Sequence, residues 1–181
     1  ETRNLSSRQQ IELCAPCHSR RMSLDDNIHR HADFLDYGIP QLLTQGYYFA
    51  DGQILEEVYV YGSFIQSKMY HKDIRCTDCH DAHSLLPYAE GNALCGLCHD
   101  ALRYDTPEHH FHLQGTESAT CVACHMPART YMVVDPRHDH SLRAPRPDLT
   151  LSIGSPNACN DCHRDKSTLW AQRAVERWYP E

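Results

Sequence analysis

Apolar residues along this 181-residue chain rarely sustain one period for long. Helical spacing opens after a tether at residues 1–6, where Ser7 with Gln10 three residues on forms a capping-box pattern and predicts a helix from Arg8 to about Cys17. It returns at the far end. There Ser167 caps a predicted helix to about Tyr179, with Leu169, Trp170, Ala174 and Trp178 at helical spacing and Pro180 as the stop. A β pattern occurs once: Tyr47, Tyr48 and Phe49 lead into Asp51-Gly52, and Ile54, Leu55, Val58, Tyr59, Val60 and Tyr61 follow, which predicts a small β-hairpin near 47–61. Ser63 to Tyr70 reads as one or two helical turns. Turn residues at Pro87, Gly91-Asn92, Pro107 and Gly115 cut the stretch from Cys76 onward into short helices, and Pro127, Pro136, Pro145, Pro147 and Pro156 predict extended coil after it. The expected fold class is mostly α and irregular, with little regular structure beyond that hairpin.

Five copies of one segment fall into this broken pattern: CAPCH from Cys14, CTDCH from Cys76, CGLCH from Cys95, CVACH from Cys121 and CNDCH from Cys159. They consume all ten cysteines, pairing Cys14 with Cys17, Cys76 with Cys79, Cys95 with Cys98, Cys121 with Cys124 and Cys159 with Cys162. His18, His80, His99, His125 and His163 follow the pairs directly. Two thiols one helical turn apart can form thioethers to the two vinyl groups of one haem, while the adjacent imidazole reaches its iron as proximal ligand. Five disulfides, or a zinc ribbon spanning Cys79 and Cys95, would use cysteines at these spacings but leave the five histidines unexplained. With 14 histidines in 181 residues, their falling there by chance has a probability on the order of a few in a million. The cofactors expected are five covalently bound haem c.

Composition then says what the interior is made of. There are about 36 residues for each haem, too few to wrap a conventional core around each. With 41% apolar residues, 9% aromatics and a mean hydropathy of −0.60, the haems themselves are expected to form the core. The expected division is an N-terminal lobe, 1–75, with the first haem and the hairpin, and a C-terminal lobe, 76–181, with the other four, or one continuous domain. A formal charge of −7, made more negative by haem propionates, argues against nucleic acid as a partner. No stretch of eighteen apolar residues is present, so no membrane span is expected. Haem attachment of this kind follows export, which places the protein in the periplasm or outside the cell, its presequence removed.

Nine histidines remain for the opposite axial positions: His29, His31, His71, His83, His109, His110, His112, His138 and His140. A second imidazole makes an iron six-coordinate and low spin, suited to electron transfer. The distal candidates are His83, His140, His112, His109, His31, His29 and His110. His83 is too close to His80 to serve the same iron and would ligate another. In an extended reading His110 and His112 share a face that His109 opposes, and two of the three are expected to ligate. His140 is preferred to His138, which suits a propionate or backbone partner. Met22, Met69, Met126 and Met132 are read as packing residues.

The stretch CVACHMPARTYMVVDPRHDHS, followed by PRPDL and SPNACNDCH, resembles bacterial multihaem cytochromes c, relatives of which are often fused to tetratricopeptide repeats. DGQILEEVYVYGSF, CHDAHS and HHFH add to the likeness, which runs from about Tyr47 to Tyr179. The group is similar in haem packing to the nitrite reductase and hydroxylamine oxidoreductase superfamily. The resemblance implies closely spaced haem pairs, and ligand roles for His83, His140 and one or two of His109, His110 and His112. A Cys-x-x-Cys-Lys segment, as in pentahaem nitrite reductase, is absent. The expected function is electron transfer through a chain of mostly bis-histidine haems, with other redox proteins or multihaem cytochromes as partners. The alternatives are a head-to-tail extracellular conductive filament, or a reductase or oxidase of a small nitrogen or sulfur compound with one open haem.

Overall fold

In the computed structural model, residues 4–25, 33–82, 84 and 86–180 are described. Among them the chain runs α1 (Ser7–His18), β1 (Arg21–Ser23), α2 (Phe34–Tyr37), β2 (Gly38–Pro40), α3 (Tyr61–Phe64), α4 (Cys76–Cys79), α5 (Asn92–Cys95), α6 (Ala101–Tyr104) and α7 (Pro107–His110). It continues through α8 (Cys121–His125), β3 (Ala128–Tyr131), β4 (Asp135–His138), α9 (Pro147–Ile153), α10 (Ala158–Cys162) and α11 (Thr168–Trp178). Short helices dominate, as the turn residues require. α11 starts where expected, with the Ser167 hydroxyl accepting from the Trp170 amide. α1 starts one residue early. Ser6 is its cap, in a reciprocal box with Gln9, because the Ser7 amide and hydroxyl are drawn instead to the Asp73 carboxylate and the Ile74 carbonyl.

The β structure lies elsewhere than the hairpin predicted at 47–61. There Phe49 and Gln53 close a turn and Tyr48 bridges Ile54, but no strands form. Val58, Tyr48, Ile54 and Tyr131 are used as a buried cluster, so burial rather than a ladder satisfies this apolar run. Two antiparallel ribbons form instead, β1 with β2 and β3 with β4. The second lies in the proline-rich segment expected to be coil, with Pro136 opposite Thr130. A two-stranded ribbon has only edge strands, so proline's missing N–H removes no bond to a further strand. α9 also departs from the coil expectation, because Pro147 stands in its first turn, where a backbone donor has no helical partner anyway.

The apolar interior is thin. Among the described residues, the two buried clusters are Tyr48, Ile54, Val58 and Tyr131, and Ala15, Phe34 and Tyr37. The chain exposes 12122 Å², against about 8,900 Å² for an ordinary folded protein of this mass, an excess of roughly 3,200 Å². Long-range polar contacts take up part of the work. The buried Asp139 carboxylate accepts from the amides of Ile54 (3.1 Å) and Ser141 (2.8 Å), Gln53 donates to the Pro156 carbonyl (2.8 Å), and Arg143 donates to the Asp51 carbonyl (2.8 Å). Removing the carboxylate with Asp139→Ala leaves two amide donors without it. Denaturant unfolding should show a loss of about 1–3 kcal/mol, and an unchanged midpoint would refute this role.

Candidate functional site

The geometry of the repeated segment follows from one backbone bond. The amides of His80, His99 and His163 each donate to the carbonyl of the first cysteine of their own segment, at 2.9, 2.9 and 2.8 Å. That closes one helical turn and brings both thiols and the imidazole to one local site. The ten cysteines are free, with no disulfide among them.

At three of the four junctions, successive segments stand beside one another. α1 packs on α4, α5 on α8, and α8 on α10. The neighbouring Cys76 thiol lowers Cys14 to about 7, and Cys14 in turn raises Cys76. Burial, with Cys95 beside it, pushes Cys121 up to about 12. Cys79 and Cys124 are raised chiefly by burial, and each also feels the cysteines of the following segment: Cys95 and Cys98 for the first, Cys159 and Cys162 for the second.

Three segment histidines face a histidine from elsewhere in the chain. The ring centres are 6.3 Å apart for His80 and His140, 6.1 Å for His125 and His109, and 6.1 Å for His163 and His112. A metal–imidazole bond of about 2.0–2.1 Å, with the ring centre about 1.1 Å beyond the nitrogen, puts two imidazoles on opposite faces of one ion with centres about 6.3 Å apart. In four of these rings Nδ1 is held from outside. His140 Nδ1 meets the His138 carbonyl at 2.9 Å, His112 the His110 carbonyl at 2.5 Å, His125 the Arg143 carbonyl at 3.0 Å, and His109 the Tyr179 hydroxyl at 3.1 Å. Anchoring one nitrogen in this way fixes the tautomer and leaves Nε2 for a metal. Burial also holds His80, His109 and His140 below the ordinary imidazole pKa, in the neutral form a metal needs.

The remaining candidates sort by their surroundings. His110 turns both nitrogens to its neighbours: Nδ1 accepts from the His112 amide (3.2 Å) and Nε2 meets Gln114 Oε1 (3.0 Å). The reading that paired His110 with His112 assumed an extended chain. The segment is instead α7 followed by Phe111 in the left-handed region (φ 57°), which brings His109 and His112 to different partners. His138 is exposed, its Nδ1 against the Met126 carbonyl. His99 meets the edge of Tyr104 at 5.7 Å, and the same tyrosine meets His109 at 5.3 Å. His18 and His71 are exposed. His29, His31 and His83 lie outside the described residues.

Several supporting groups went unread in the sequence: the carbonyls of Arg143, His138 and His110, which no residue identity encodes, and the Tyr179 hydroxyl. α11, read as packing, supplies the last. Its Trp178 stacks on Phe111 at 4.4 Å, Trp170 packs on His163 at 5.0 Å, and Tyr179 also donates to the His109 carbonyl.

No protein-family model matches the chain, and no curated protein matches it. Among solved structures it is similar to the crystal structure of outer cell wall cytochrome OcwA, with a TM-score of 0.69 and 16% identity over 93% of this chain and 51% of that one. The two share a fold, and this chain spans about half the length of that structure. Because Trp178 stacks on Phe111 and meets the edge of His112 at 6.5 Å, Trp178→Ala should cost about 2–3 kcal/mol in denaturant unfolding. Trp178→Phe should cost less than half as much, and equal losses would refute the stacking role.

Proposed function

We propose that this chain is a c-type multihaem cytochrome, with five covalently attached haems serving electron transfer. The observation that carries the reading is the three imidazole pairs, each joining a segment histidine to a distant one at the span of a six-coordinate ion. The free cysteine pairs fit thioether attachment, and the excess surface and thin apolar core fit a chain whose interior is completed by flat apolar cofactors. Likeness in fold to an outer cell wall cytochrome supports the same class.

Bound there, haem would supply a reversible one-electron couple at iron. The chain's own residues do the rest. Each cysteine pair holds one group by two bonds. His80, His125 and His163 are assigned as proximal ligands, with His140, His109 and His112 as their distal partners. His18 and His99 are the proximal ligands of the other two groups, and His83, His29 and His31 are the candidates to complete them. The carbonyl and hydroxyl partners at Nδ1 of His109, His112, His125 and His140 would keep those four rings turned to a metal. Segments adjacent in chain order give one continuous series of redox centres, and the partners are other redox proteins met after export, in the periplasm or outside the cell.

The test is haem quantification with low-temperature electron paramagnetic resonance on one sample of oxidised protein. Five haems per chain, no titratable thiol and low-spin ferric signals are expected. Free thiols with no bound haem would overturn the reading, and a stoichiometric high-spin signal that responds to nitrite or sulfite would replace electron transfer with catalysis. Among variants, His140→Met should leave one haem high spin or shifted to positive potential, while His138→Gln and His110→Gln should leave the spectrum unchanged. Unchanged spectra for His140→Met would refute that ligand pair.

A further inference from the structure

Two of the junctions between successive cysteine segments carry the same device, a side-chain amide used at both ends. Gln10, one turn ahead of Cys14 and only 1% exposed, accepts from the Thr77 amide through Oε1 at 3.0 Å and donates from Nε2 to the Thr77 hydroxyl at 2.8 Å. Asn92, three residues ahead of Cys95, accepts from the Cys121 amide through Oδ1 at 2.8 Å. Its Nδ2 donates to the Ala119 carbonyl at 3.0 Å and the Asp105 carboxylate at 2.8 Å. In both cases the donating backbone amide lies in the first turn of the next segment's helix, where no intrahelical carbonyl is available to it. The segments' helices pack at the same two junctions, α1 with α4 and α5 with α8. α10 is capped differently, because Asn157 turns its Oδ1 to Asn160 of its own segment.

We propose that Gln10 and Asn92 are positioning residues that clasp the first segment to the second and the third to the fourth, and so fix the spacing and angle within two close cofactor pairs. The inference rests on the reading that the segments carry haem. A planar amide bonded at both ends has little freedom to slide or rotate, so it sets register between two helices too short to set it by packing. Coupling between the electronic transitions of neighbouring chromophores falls steeply with distance and changes with angle. The clasps therefore govern a quantity that overall stability does not.

The chemistry of the two clasps differs in a way that can be tested. Thr77 offers Gln10 an amide donor and a hydroxyl, which can donate as well as accept. A carboxylate at position 10 can accept from both, so Gln10→Glu should keep the clasp while Gln10→Leu loses it. Asn92 Nδ2 faces a carbonyl and a carboxylate, both acceptors only. Asn92→Asp should then fail as fully as Asn92→Ala.

The experiment is circular dichroism through the Soret band on the purified holoprotein, with haem content measured on every sample. At unchanged haem content, Gln10→Leu, Asn92→Ala and Asn92→Asp are each expected to reduce the bisignate couplet, since one of the close pairs that contribute to it is released. Gln10→Glu is expected to retain it. Ser6→Ala, which removes the cap of α1 without touching the junction, is also expected to retain it. Full haem content with an unaltered couplet in Gln10→Leu and Asn92→Ala would overturn this inference and leave the cytochrome reading standing. Wild-type protein without covalent haem would overturn that reading instead. Should Gln10→Leu fail to assemble, Gln10→Glu against Asn92→Asp decides, and like behaviour of those two would overturn the clasp.

Discussion

Imidazoles brought in from distant parts of the chain to face one another across a gap of fixed width are the constraint that the remaining structure serves. His140 reaches His80, His109 reaches His125 and His112 reaches His163, each at a ring-centre distance of 6.1–6.3 Å. The chain arranges these pairs with little apolar interior of its own. Among the described residues its buried clusters are small and drawn from residues 15–61 and Tyr131.

Long-range hydrogen bonds from polar side chains do part of what packing does elsewhere. Asp139 ties the segment carrying His140 to Ile54, Arg143 ties the next residues to Asp51, Gln53 holds the approach to the fifth cysteine segment, and Asn92 and Gln10 hold segment to segment. Such bonds are directional, so they specify geometry more sharply than apolar burial of the same net energy. They also make the scaffold depend on its cofactors for bulk apolar burial on the proposed reading, which accords with a chain exposing over a third more surface than its mass predicts.

The five cysteine segments were legible from residue types alone, because two thiols and an imidazole recur at one fixed local spacing. α1 and α11 were legible from caps and periodicity, with the Ser6 for Ser7 shift arising because Asp73 and Ile74 compete for Ser7. What was not legible came from non-local partners. Val58 to Tyr61 have strand-forming side chains, but a ladder needs a neighbour, and Val58 found Tyr48 and Tyr131 as core contacts instead. Pro136 argued against a strand that a two-stranded ribbon accommodates. The histidine trio turned on a single left-handed residue at Phe111, a conformation that its sequence does not announce.

The backbone supplies the last element of the arrangement. His112 and His140 each sit two residues after another histidine, and in both cases the ring Nδ1 returns to the carbonyl of that earlier residue. A His-x-His spacing therefore has a use beyond offering two candidate ligands, since the first residue provides the carbonyl that orients the second. This local hydrogen bond needs no surrounding core and no third element. It lets an imidazole keep its tautomer and direction in a segment that is otherwise irregular. That is how a chain of short helices and turns can present imidazoles with a regularity its secondary structure lacks.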